Sequence, residues 1–309
     1  TDLLYSVAVP ATSGYQTMLK NIGSIENQGY ELSIESDNLT GAFSWTTAFN
    51  IAFNRNKVLE LGGEEYKEMA EGDGHLKTGS VRRLIVGEPI GVFYGYRFDG
   101  IFQNEEECKQ QTSSASPIGV GLRRYKDLNG DGKVDAANDR EILGDANPKF
   151  FGGLTNTFAY KGFELNVFLQ YSYGNKILNY NAMELENPTG GQNAYADMVN
   201  RWTPENPSNI YPKATTNRAL LVSDRFIEDG SYLKLKTLSL SYSFPKINLK
   251  HIQGLRLYVT GQNLLTWTKY RGYDPEVSYR GASTLEAGED FGGYPQSRTF
   301  MFGIKLDIK

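Results

Sequence analysis

Residues Phe43–Asn54 read FSWTTAFNIAFN. Successive side chains of an extended chain point to opposite faces. Phe43, Trp45, Thr47, Phe49, Ile51 and Phe53 therefore share one face, and Ser44, Thr46, Ala48, Asn50, Ala52 and Asn54 share the other. The period is two, and bulky residues sit opposite small or polar ones. The run is also long enough to cross a bilayer, which takes about 9–11 tilted strand residues.

The same pattern recurs on both sides. Gly29–Ser36 alternates Tyr30, Leu32 and Ile34 with Glu31, Ser33 and Glu35. Lys149–Tyr160 and Phe163–Tyr173 form the clearest hairpin, turning at Lys161-Gly162. In its second arm Phe163, Leu165, Val167, Leu169, Tyr171 and Tyr173 oppose Glu164, Asn166, Gln170 and Ser172, with Phe168 as the exception. Tyr232–Phe244 changes phase near Thr237, which predicts a bulge. Leu255–Trp267 and Thr299–Lys309 complete the series, the last placing Phe300, Phe302, Ile304, Leu306 and Ile308 on one side. With Asp2–Pro10, and with Ser80–Val86 and Val92–Phe102 read as a hairpin around GEPIG, the expectation is about ten strands.

The connections alternate in length. DNLTG, GEPIG, Lys161-Gly162 and PKINLKHIQG are short; 15–27, 59–78, 103–148, 175–230 and 270–296 are long. A soluble sandwich has no reason to collect its short turns at one end. Outer-membrane barrels do, with short periplasmic turns and long outer loops. Alternation alone does not tell a soluble barrel, with its apolar face inward, from a membrane barrel, with that face in lipid. Strand length, polar opposite faces and aromatics near strand ends (Tyr5, Tyr30, Phe53, Tyr94, Tyr160, Tyr171, Tyr173, Tyr242, Trp267) favour lipid. The fold expected is all-β: an antiparallel transmembrane β-barrel portion whose last strand ends at a periplasmic C-terminus.

Composition narrows the function classes. The chain has 309 residues, 39% of them apolar, with 20 Tyr, 16 Phe and 33 Gly. Its net charge of −4 gives no electrostatic reason to expect a nucleic-acid partner. The single cysteine, Cys108, cannot form an internal disulfide. No apolar run is long enough for a membrane helix. No phosphate loop, nucleophile elbow or dinucleotide fingerprint occurs, so an enzyme is not expected. His75 and His251 have no metal-ligand companion at close spacing and read as solvated. The run Glu105-Glu106-Glu107 reads as a solvated face. Thr1-Asp2 opens mid-pattern without a signal peptide, so the expectation is a mature or truncated start.

Tyr125–Pro148 is the one stretch that reads as a site. Asp127, Asn129 and Asp131 alternate ahead of Gly132, and Lys133 would add a backbone carbonyl. Calcium takes six to eight oxygen ligands, and a D-x-[DN]-x-[DN]-G loop aims several at one point. The twelfth position is Asn138 rather than a bidentate Glu, with Asp139 the nearest carboxylate. The alternatives are a structural Ca2+ held by Asp127, Asn129, Asp131, Lys133 and Asp139, and an acidic turn without metal. Aromatics in the long connections (Tyr195, Trp202, Tyr211, Tyr270, Tyr273, Tyr279, Tyr294) offer faces for sugar rings or a lid, or pack the connections together.

Several blocks then carry a resemblance. VGEPIGVFYGYRFDGIFQ (86–103), DLNGDGKVD (127–135), NPKFFGGLTNTFAYKGFELNVFLQYSYGN (147–175), DRFIEDGSYLKLKTLSLSYSFP (224–245), LRLYVTGQNLLTWTKYRGYDPEV (255–277) and YPQSRTFMFGIKL (294–306) resemble the C-terminal part of SusC/RagA-type TonB-dependent transporters of Bacteroidetes. NIGSIENQGYEL (21–32) resembles an earlier strand of the same barrels. The resemblance implies an outer-membrane barrel of about 22 strands, a plug, a TonB-contacting segment, a SusD-like surface lipoprotein and import of a glycan or peptide. About ten strands cannot close such a barrel, so the expectation is the C-terminal part of a longer transporter, with plug and earlier strands elsewhere. The alternative from another class is a secreted or surface adhesin, stapled by calcium, that binds glycan.

Overall fold

The computed structural model of the chain describes residues 2–8, 17–69, 72, 75–76, 78–187, 193–216, 220–245, 252–276, 278–281 and 285–308. Eight strands form one sheet: β1 (Asp2–Ala8), β2 (Thr17–Leu39), β3 (Phe43–Leu61), β4 (Phe150–Tyr160), β5 (Phe163–Tyr173), β6 (Tyr232–Ser243), β7 (Ile252–Thr268) and β8 (Thr299–Ile308). Each pairs antiparallel with the next in sequence, so the sheet is an up-and-down meander from β1 to β8.

The registers join the apolar residues of separate strands into one surface. Across β3, β4 and β5, Phe43 faces Tyr160, which faces Phe163; Phe49 faces Leu154, which faces Leu169. The rows continue through Tyr242 and Leu235 on β6 to Leu257 and Leu265 on β7. They reach Ile304 on β8 and, in the other direction, Ile34 and Leu32 on β2. This surface is solvent-exposed in the isolated chain: Phe302 is 82% and Ile304 68% exposed.

Two aromatic belts bound it. Toward the short turns, Phe43, Trp45 and Phe158 stack, and Phe163, Tyr242 and Phe244 follow. Toward the long connections, Phe53, Phe150, Tyr171 and Tyr173 cluster. From Phe150 to Tyr160 is roughly 34 Å along the strand at about 3.4 Å per residue, and about 26 Å along the normal at a tilt near 40°. That is the height of the apolar band of an outer-membrane barrel, aromatic girdles included. Asn156 in this band has its Oδ1 satisfied by Trp45 Nε1 at 2.9 Å and Thr47 Oγ1 at 2.7 Å.

The bulge expected near Thr237 is present, with the β5–β6 and β6–β7 registers both slipping at Lys236. The expected strand count needs correction. Ser80–Val86 and Val92–Phe102 are not a wall hairpin. Arg83–Ile85 pairs with Tyr66–Glu68, Val92–Tyr96 pairs with Arg140–Asp145, and Phe98–Ile101 pairs with Arg123–Tyr125. Val92, Phe93, Gly95 and Tyr96 are buried on both faces of their strand. A segment without a lipid face belongs to a packed core, so the sheet has eight strands.

The β2–β3, β4–β5 and β6–β7 turns lie at one end of the sheet, and connections 62–149, 174–231 and 269–298 lie at the other. The expected strand at 29–36 and loop from residue 59 also change: β2 and β3 run on past the band into the layer of long connections. There Val58 and Leu61 are buried against Leu84. The layer holds the main hydrophobic core. Phe93, Leu178, Tyr180, Met183, Val222 and Phe226, drawn from two connections, pack together with Ala287 and Phe291 of the third. The molecule is thus inverted: the wall turns its apolar residues outward, and the layer buries its own.

Candidate functional site

The wall face opposite the lipid band is polar and its groups answer one another. Asn166 Nδ2 donates to Thr157 Oγ1 at 2.9 Å, and Ser239 and Thr260 share a hydrogen bond of 2.7 Å. Arg256 donates to Glu164 at 2.5 Å and to Ser241 at 2.7 Å. Phe168, the sequence exception, points to this side. Its ring fills the space a Cβ at Gly153 would take, as Tyr258 does over Gly303. An aromatic ring laid over a strand glycine restores contacts the glycine lacks.

One group on this face carries more than the others. Lys234 of β6 is 1% exposed and donates to Asp274 at 2.6 Å and Glu276 at 2.5 Å. Lys236 adds 2.9 Å to Glu276, while Gln170 and the Tyr232 hydroxyl donate to its other oxygen. Asp274 also accepts the backbone N–H groups of Glu276 and Gln296, both at 3.0 Å. The 269–298 connection is therefore strapped to the inner wall. Burial, the largest single effect, pushes both carboxyls up, but the hydrogen bonds and charge of Lys234, joined by backbone N–H groups at Asp274 and by Lys236 at Glu276, together hold both below their ordinary values.

Arginines join the three connections into one layer. Arg82, 1% exposed, pairs with Glu289 at 2.9 Å and donates to the Gly91 and Ala287 carbonyls. Arg271 pairs with Glu186 at 2.7 Å and Glu228 at 2.8 Å, and Arg225 takes the other Glu186 oxygen at 2.5 Å. Arg97 bridges Glu141 and Asp224. The Tyr270 hydroxyl donates to Asp290 at 2.5 Å; burial and that carboxylate push its pKa far up.

The candidate calcium residues fall on an exposed turn. Asp127 accepts from the N–H of Gly130 and of Gly132, both at 2.7 Å. Asp131 accepts from Lys133 N at 2.8 Å and from Asn129 Nδ2 at 3.0 Å, and Asn129 Oδ1 accepts from Asp131 N at 3.2 Å. Asp139 is fully buried, with its two oxygens taken by Leu128 N and Asp135 N at 2.7 Å each. Lys133 turns its ammonium to Asp135 at 3.1 Å. The side chains thus cap the loop's own backbone. Among the described residues, no three carboxylate, His or Cys side chains converge as metal ligands. Asp139 closes the loop through both of its oxygens.

The other sequence candidates divide. Trp202 donates to Gln103 at 3.0 Å, Tyr211 to Asp197 at 3.3 Å, Tyr195 packs on the layer core, and Tyr279 lies against Phe291. With buried Tyr270, these hold the connections together. Tyr273 and Tyr294 are 80% and 95% exposed, free to meet a ligand or a lid. His75 is not simply solvated: its ring lies 3.3 Å from Glu184 and stacks near Phe291. His251 lies outside the described residues. The Glu105–Glu107 run opens a short helix, Glu105–Lys109, where Glu107 caps Gln103 N at 2.9 Å. Sequence reasoning missed Lys234. On a strand with a polar inner face, a lysine that pairs with residues 40 or more positions away leaves no local signal.

No family model matches the chain. Curated proteins do. TonB-dependent receptor P3 of Formosa agariphila is 39% identical over 99% of this chain and 31% of its own length. TonB-dependent receptor SusC of Bacteroides thetaiotaomicron is 28% identical over 99% of the chain and 29% of its own length. The chain corresponds, end to end, to about a third of a SusC/RagA-type TonB-dependent receptor. Its fold agrees with solved receptors of this type. The RagAB peptide transporter superposes with a TM-score of 0.76 at 25% identity, over 99% of this chain and 32% of that one. The RagAB peptide importer in its open-open state gives 0.75 at 24% identity. The outward apolar face is thus the lipid face of a transmembrane barrel wall, and the polar face is the one turned to the barrel interior. These relatives are receptors and transporters, not enzymes.

Proposed function

We propose that this chain supplies wall, inner lining and long-connection layer to an outer-membrane receptor that imports a glycan or peptide nutrient with energy from TonB. The observation that carries the proposal is the open sheet. Among the described residues the wall begins at β1 and stops at β8, each with one partner. Unpaired backbone N–H and C=O groups in hydrocarbon cost several kcal/mol each, so lipid-facing strands persist only in a closed barrel. In this reading further strands flank β1 and β8, and a plug fills the completed barrel. The chain is the C-terminal part of that receptor in this reading, with the short turns and C-terminus periplasmic and the layer outside. A SusD-like lipoprotein would sit over the layer, where Tyr273 and Tyr294 are exposed. The substrate passes the polar face where the Arg256 and Glu164 side chains are partly exposed.

The test is extraction of outer membranes in detergent, with the protein identified by intact mass and co-purification. The expected result is this sequence within a receptor about three times its length, as in the relatives, together with a lipoprotein. A species of this chain's size alone, soluble without detergent, overturns it. The adhesin alternative gains no support from the relatives.

A further inference from the structure

We propose that Arg123 is the centre of a carboxylate-binding site in the long-connection layer. The residue lines a cavity of about 50 Å³ with Ser116, Tyr125, Asn187, Thr215 and Leu220. It is 9% exposed. Nη2 donates to the Glu186 backbone oxygen at 3.0 Å, and Nη1 reaches Asn187 Oδ1 only at 3.5 Å. The buried Nε has no acceptor.

Charge sets this arginine apart from its neighbours. Arg82, Arg225 and Arg271 each meet a carboxylate in the layer. Glu186 gives Arg123 only its backbone oxygen, because both carboxylate oxygens go to Arg225 and Arg271. Among the described residues no acidic side chain forms a salt bridge with Arg123. The neighbouring segments 188–192 and 217–219 read PTGGQ and NRA and contain no acid. Burial pushes its pKa down and the charge of Arg225 adds to this, opposed by Tyr125 and by the Glu186 charge. Buried charges are otherwise paired. A cavity-lining guanidinium whose Nε lacks an acceptor and whose Nη1 is held only loosely suits a planar anion taken two-pronged.

Size restricts the ligand. Pockets that enclose whole small molecules run from about 300 Å³. This one admits an end group, and it opens beside half-exposed Ser116 and exposed Pro117. The shared chemistry is a carboxylate, presented by a peptide C-terminus or by an acidic sugar. A part in uptake rests on the import reading; binding itself does not.

The intact receptor in detergent is titrated calorimetrically with triglycine and its C-terminal amide, and with glucuronate and glucose. The free acids are expected to bind and the neutral counterparts to fail. Arg123→Gln should weaken acid binding at least about tenfold. Ser116→Phe keeps the charge, closes the mouth and should weaken it likewise, which guards against misfolding of the first variant. Tighter triglycine assigns the site to a peptide terminus, and tighter glucuronate to an acidic sugar. Equal binding of acid and amide, no binding of either acid, or wild-type binding by both variants overturns the site. A receptor that binds triglycine yet imports nothing loses the import reading and keeps the site.

Discussion

Replacing Lys234 with alanine should release the 269–298 connection from the wall while leaving the wall intact. Lys234 is 1% exposed, and its partners Asp274 and Glu276 have side chains only 7% and 17% exposed. Removing one member of a buried pair strands the other charges, at about 3–5 kcal/mol. Lys236 stays within reach of Glu276, so about 3 kcal/mol is the better figure, or roughly 100-fold in an opening equilibrium. Two amides report it directly, because Glu276 N and Gln296 N both donate to Asp274. Their hydrogen exchange in the intact receptor should rise about 100-fold, while amides of β5 and β6 stay as they were. Replacing the network as a whole, with Lys234→Met, Asp274→Asn and Glu276→Gln together, should restore most of the protection, since no buried charge is then unpaired. Exchange at Gln296 within about threefold of wild type in Lys234→Ala would refute the reasoning.

Acid should loosen the same strap. Asp274 and Glu276 have folded-state pKa values below their unfolded ones, so their contribution is complete above about pH 4.5 and is lost as pH falls through the lowered values; exchange at Gln296 against pH, corrected for intrinsic rates, checks this. Val167→Arg puts a charge in the lipid band and should cost about 2–4 kcal/mol of assembly, whereas Asn166→Arg, one residue away on the polar face, should cost far less; the folded fraction in lipid vesicles separates them. Gly152→Ala should destabilise by about 1–3 kcal/mol and more than Gly303→Ala. At Gly152 a Cβ lies 2.1 Å from the Asn50 carbonyl oxygen, which is backbone, while at Gly303 it meets the movable Tyr258 ring; denaturant titration ranks the two. Adding calcium or a chelator should leave the melting temperature unchanged, because the Asp127–Asp139 loop is capped by its own side chains; a rise with calcium would return the cation to the loop.

Period-two alternation made the wall legible. Phe43–Phe53 and Phe163–Tyr173 each show a face without help from the rest of the chain, and short turns such as Lys161-Gly162 mark neighbours. The phase slip at Lys236 was equally local. The layer was not legible for the opposite reason. Val92–Tyr96 has the β-prone composition of a wall strand, yet its pairing partner is Arg140–Asp145 and its packing partners include Val222 and Phe226. Only tertiary context separates a strand buried on both faces from one that meets lipid on one face. In the Asp-rich loop the motif leaves two outcomes open, since the oxygens that suit a cation suit backbone N–H groups equally well. Arg123 carried no sequence signal at all. It stands out by the carboxylate that two other arginines have taken.

The split between a wall made of neighbours and a layer made of distant segments fixes an order of assembly. The β4–β5 hairpin closes over two residues, whereas the Arg82–Glu289 pair spans 207 positions that include every wall strand from β4 to β7. Loop closure over such spans is slow, and its cost falls before any contact rewards it. Local closure therefore favours a wall that zips up first, strand upon adjacent strand, with the three connections still open on one side of the bilayer. The layer then condenses last, as a water-soluble core would, on a template the membrane has already fixed.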